Sequence, residues 1–84
     1  MKTKILPIYW NGRAVGHISS PNVDNFNFYG AWKPLIDEPA YNDFLAAIES
    51  DEGAPVLIGD EKPAMKGFVQ IEPSEEIEIK LQPR

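Results

Sequence analysis

The chain carries a single histidine, His17, and no cysteine. A Cys/His nucleophile pair and a thiolate metal site are therefore excluded. A Ser-His-Asp set would have to draw on Ser19 or Ser20 with His17 and Asp24. Those serines stand in a turn-like cluster beside a strand, without the strained strand-to-helix turn that exposes a nucleophile. His17 reads as a structural or surface histidine on a strand. No Asp, Glu or His positions show a metal-ligand spacing, and the six scattered glycines form no phosphate-cradling run before a helix. Paired carboxylates at Asp51-Glu52 and Glu75-Glu76 read as solvated, whereas acid–base catalysis needs burial to shift a carboxyl pKa. The expectation is a protein that is not an enzyme and needs no cofactor.

What remains is contact chemistry. Residues 26–32 hold four of the nine aromatic residues: Phe26, Phe28, Tyr29 and Trp32. Buried large rings are the usual core of a small domain. Together with Tyr9, Trp10 and Tyr41, however, they outnumber what one helix can cover. Exposed Trp and Tyr flanked by Arg or Lys have the composition of a binding hot spot. The candidate partner-binding set is Tyr9, Trp10, Arg13, Tyr29, Trp32 and Lys33.

These residues must be positioned by strands. Residues 2–10 are rich in apolar, β-branched and aromatic types. Pro7 lacks a donor, which predicts an edge strand or an amide position turned away from a partner. Asn11-Gly12 predicts a two-residue type I′ turn, with residues 13–19 returning. That register pairs Trp10 with Arg13, Ile8 with Val15 and Leu6 with His17. Residues 19–22 read as a turn cluster and residues 25–33 as a third strand, with Gly30 the place for a bulge or a close backbone approach. Asp24 and Asn25 read as turn formers.

Tyr41, Phe44, Leu45 and Ile48 fall at i, i+3, i+4 and i+7, one face of a helix. Asp37 or Glu38 is its expected cap, Pro39 suits its first turn, Gly53 is its expected C′ residue, and Pro55 forbids its continuation. Residues 56–58 read as a short buried strand and residues 60–63 as a loop. Residues 65–72 form another strand, with Val69 and Ile71 on one face and Phe68 and Gln70 on the other. Glu76 to Leu81 alternates cleanly, with Ile77, Ile79 and Leu81 inward.

The order βββαβββ predicts one α+β domain over residues 1–84. Its expected form is a curved, mostly antiparallel sheet of five to six strands with the helix on one face. The other face is then solvated or binds something; a half-open barrel is the second option.

Net charge is −5, unevenly spread. Residues 1–36 carry four basic residues against one acid, and residues 37–84 carry twelve acids against four bases. No basic cluster invites nucleic acid. No apolar run reaches signal-peptide or membrane-spanning length. The absence of cysteine predicts a cytoplasmic protein, and the expected kind is a small bacterial-type α+β domain. The leading functional expectation is a domain that binds a protein partner or itself through an aromatic sheet face, with a free first or last strand pairing two copies. One alternative is an acidic immunity- or inhibitor-type protein that meets a basic target. The other is a small-molecule site or enzyme subunit, with a pocket between helix and sheet using His17, Asp24 and Tyr29.

Overall fold

A computed structural model describes residues 4–60 and 64–82. Strands β1 (Ile5–Trp10), β2 (Arg13–Asp24) and β3 (Asn27–Pro34) precede helix α1 (Ala40–Ile48). Strands β4 (Ala54–Ile58), β5 (Met65–Val69) and β6 (Glu76–Leu81) follow it. The element order and the antiparallel pairing are those expected. Positions 2, 3, 61–63, 83 and 84 of the expected strand, loop and chain end lie outside the described residues.

The sheet does not stay open. It closes into a barrel in the order β1-β2-β3-β6-β5-β4. β1 meets β4 through Ile8 with Ile58 and Tyr9 with Leu57. β6 lies between β3 and β5. Neither the first nor the last strand is therefore a free edge, and the expected route to self-pairing is gone. Closure also answers the excess of rings, because an inner wall can take side chains from every strand. Ile8, Val15, Ile18, Phe28, Trp32, Val56, Ile58, Val69, Ile77 and Ile79 are all buried.

Asn11 and Gly12 have φ of 55° and 81°, the left-handed pair that a type I′ turn needs, and Trp10 pairs with Arg13 as read. Beyond that the register slips. Tyr9 pairs with Ala14 but Ile8 with Gly16, so Val15 is an inserted residue. The bulge reverses parity. Leu6 faces Ile18 instead of His17, and His17 lies outward between Pro7 and Lys33. Pro7 sits at the end of the β1–β4 seam. Its carbonyl accepts from the Gly59 N–H at 2.8 Å. In an antiparallel strand the N–H and C=O of one residue point the same way. The missing donor thus faces β4, and the ladder stops there.

The Ser-Ser-Pro-Asn cluster is not a turn either. β2 runs on to Asp24, and Ser20 and Pro21 are extra residues opposite Gly30, between the pairs Ser19–Ala31 and Asn22–Tyr29. Gly30 is the close-approach glycine: a Cβ there would lie 2.7 Å from the Ser19 carbonyl oxygen. Because the bulge is in its partner strand, β3 keeps its alternation, and Phe28, Gly30 and Trp32 all point inward. The hairpin turn falls on Asn25 and Phe26, which leaves Phe26 off the strand and exposed.

Residues 35–53 leave β3 and enter β4 at the same end of the barrel, where Trp10 also lies. The helix closes that end. Phe44 is fully buried, with ring centroids 5.7 Å from Trp10, 6.3 Å from Trp32 and 6.0 Å from Tyr41. Ile48 is buried beside it, and Tyr41 and Leu45 are half-buried, as the spacing requires. Capping differs from expectation. Pro39 is the N-cap residue and no side chain caps the helix; the Asp37 carbonyl accepts from the Tyr41 N–H at 3.0 Å. Glu49 is the C-cap, so Gly53 belongs to the turn that follows.

Two strand readings also change. Leu57 is exposed on the outer wall while Val56 and Ile58 are buried, so β4 alternates. β5 ends at Val69, which leaves Ile71 in the connection to β6 and 64% exposed.

Candidate functional site

The six residues expected to form one aromatic face do not share a surface. Trp32 is only 7% exposed and its indole N–H donates to the Tyr41 hydroxyl at 3.0 Å, so it belongs to the core. Trp10 is half-buried against Phe44. Tyr9 and Tyr29 are both outward, but their partners on β2 are Ala14 and Asn22. Counted along the unbulged strands β1 and β3, with His17 as the common level, six residues at about 3.3 Å each separate them by roughly 20 Å. Arg13 lies at the helix-capped end, and Lys33 is exposed beside His17.

The trio His17, Asp24 and Tyr29 does not gather either. Asp24 pairs with Asn27 at the hairpin tip, and His17 is half-buried with a shielded Nδ1 that has no hydrogen-bond partner. Among the described residues, no three His, Asp or Glu side chains converge to hold a metal ion, and no helix is long and apolar enough to cross a membrane.

One of the six residues, Tyr29, enters an acidic groove. The alternation of β6 turns Glu76 and Glu78 outward, and pairing with β3 sets Glu78 beside Tyr29 and Glu76 beside Ala31. The β5–β6 connection folds back against the end of β3, where the backbone N–H of Trp32 donates to the Glu75 carbonyl at 2.9 Å. This carries Ile71, Glu72 and Pro73 to the side of Tyr29. The result is a groove of about 330 Å³ walled by Tyr29, Ile71, Pro73, Glu72, Glu76 and Glu78. Glu72 also borders a second hollow of about 410 Å³, which runs to Leu45, Ile48 and Glu49 on the helix. Glu72 lines both hollows, which are taken together as an acidic channel between β3 and α1. Ile71, Ile77, Leu45 and Ile48 are among its apolar lining, Glu49, Glu72, Glu76 and Glu78 are its acidic lining, and among the described residues no Lys or Arg lines either part.

Tyr9 has different chemistry. Its hydroxyl donates to the Asp60 carboxylate. That bond, then partial loss of solvent, then the carboxylate's charge hold the phenol pKa above its ordinary 10.0. The contact ties β1 to the residues that follow β4.

Comparison of the chain with protein-family models, with curated proteins and with solved structures finds no match. The groove rests on its own geometry. Sequence reasoning found Tyr29 and the acidic second half but treated them separately. Ile71, Glu72, Glu76 and Glu78 were read as strand and solvated positions. What joins them to Tyr29 is the β3–β6 pairing, a contact between residues 49 apart with no local signal.

Proposed function

We propose that this protein works by binding a basic protein partner along the channel between β3, β6 and the helix. The observation that carries the reading is that channel's composition. Tyr29 and Ile71, 36% and 64% exposed, stand among Glu72, Glu76 and Glu78, with no cation among the described residues of the lining. An exposed aromatic or aliphatic side chain inside a charged rim is how interface hot spots are built. A one-signed rim on a chain of net charge −5 steers an oppositely charged partner and repels acidic ones. The fitting occupant is a segment with Lys or Arg and one apolar anchor. On this reading the chain acts by occupancy, without catalysis, as an inhibitor- or immunity-type protein does. A cytoplasmic setting goes with it on the absence of cysteine alone.

The test is fluorescence anisotropy with a labelled Lys/Arg-rich peptide carrying one leucine anchor, against an acidic peptide of equal length. The basic peptide binds, and its affinity falls as salt rises. The variant Glu72→Gln/Glu76→Gln/Glu78→Gln weakens binding about 3- to 100-fold, since exposed ion pairs contribute roughly 0.2–1 kcal/mol each. Equal binding of both peptides, or an unaffected triple variant, overturns the proposal. So does light scattering that shows a dimer lost in that variant, which would make a second copy the occupant.

A further inference from the structure

At the helix-capped end a separate cavity of about 250 Å³ opens between the first hairpin and α1. Trp10, Val15, Ile36 and Ala40 give it apolar walls, and Arg13 and Asp43 stand on it from opposite elements. Arg13 is placed by the Asn11-Gly12 turn, as the cross-strand partner of Trp10. Asp43 is placed by the first turn of the helix. Both charged residues are exposed, while Trp10 turns part of its ring to the cavity and packs the rest on Phe44.

We infer that this cavity binds a small zwitterion, a molecule of amino-acid size bearing one carboxylate and one ammonium. Size comes first. Sites for drug-sized ligands span about 300–1,000 Å³, so this hollow suits something smaller. Charge comes second. Among the described residues the lining holds one cation and one anion. A bare carboxylate would meet Arg13 but be repelled by Asp43. A bare amine would meet Asp43 but be repelled by Arg13. A ligand with both groups satisfies both side chains. The guanidinium fork matches a carboxylate in two parallel hydrogen bonds. The Asp43 carboxylate accepts from the ammonium. The indole face suits either an apolar side chain or the edge of the cation. None of these residues lines the acidic channel, so this site and the protein-binding reading stand or fall separately.

The experiment titrates the whole chain with leucine, phenylalanine and 6-aminohexanoate. Isovalerate lacks the ammonium and isoamylamine lacks the carboxylate, and they serve as controls. Tryptophan fluorescence and amide NMR shifts at Asn11, Arg13, Ala40 and Asp43 are followed up to millimolar ligand. The expected result is saturable shifts with at least one zwitterion, weaker or absent with the single-charge controls. The α- and ω-amino acids report how far apart the two charges must be. Arg13→Gln weakens zwitterion binding by at least about tenfold, the scale of a lost charged hydrogen bond. Asp43→Asn weakens it too, yet binds isovalerate better than the native chain does. Both are exposed substitutions that leave the core intact. Absence of saturable shifts with every zwitterion overturns the inference. So do equal binding of the controls and indifference to Arg13→Gln.

Discussion

The two ends of the barrel are built from similar residues and end up differently. At one end Trp10, Trp32 and Tyr41 ring Phe44, and Phe44 is fully buried. At the other, Ile5, Val23, Phe26 and Met65 are 55%, 58%, 59% and 43% exposed. Among the described residues, what differs is the chain that crosses each end. Residues 35–53 between β3 and β4 are long enough to fold a helix over the opening. The β2–β3 connection at the opposite end is the two-residue turn Asn25-Phe26. An aromatic residue is core or surface according to whether a connection returns over it, and its own type does not settle the matter.

Removing the plug tests this most severely. Phe44→Ala is expected to cost about 3–5 kcal/mol, as for other large buried rings, read by urea denaturation. A cost under about 1 kcal/mol would mean that the helix does not hold the end shut. Tyr41→Phe keeps the ring and removes the acceptor for the Trp32 N–H. It is expected to cost roughly 1 kcal/mol, because that leaves a shielded donor unpaired. At the opposite end Phe26→Ser is expected to change stability by no more than about 0.5 kcal/mol. A larger loss would show that this end is covered in solution.

The smallest effect concerns Tyr9 on the outer wall. Its raised pKa means that the folded chain keeps the phenol proton at a pH where the unfolded chain has lost it. The contact with Asp60 therefore contributes fully below the ordinary value of 10.0 and is lost as pH rises through the higher folded value. Titration at 295 nm should show one late tyrosine, absent in Tyr9→Phe and brought forward by Asp60→Asn.

Much of the fold was legible in the sequence where local rules act alone. The Asn11-Gly12 turn, the helix face from Tyr41 to Ile48 and the alternation of β6 all depend on neighbours within one element. The bulges at Val15 and at Ser20-Pro21 do not. They bend β2 around a barrel, and the need to bend exists only once Ile8 has met Ile58, fifty residues away. Each bulge moved a boundary or a face: His17 went outward, and the turn shifted from residues 19–22 to Asn25-Phe26. The binding surface was hidden for the same reason. Tyr29 stands out in the sequence as an aromatic residue, but its neighbours Glu78 and Ile71 come from the far end of the chain.

The two short ladders on either side of β4 and β5 have a consequence for motion. Within that hairpin five residue pairs run from Ala54–Val69 to Ile58–Met65, whereas it joins β1 through two pairs and β6 through two. Pro7 removes a donor from the first of these seams. The β4–β5 hairpin is thus joined to each neighbour by fewer pairs than hold its own two strands together, so amide hydrogen exchange is expected to be faster along its two seams than within it.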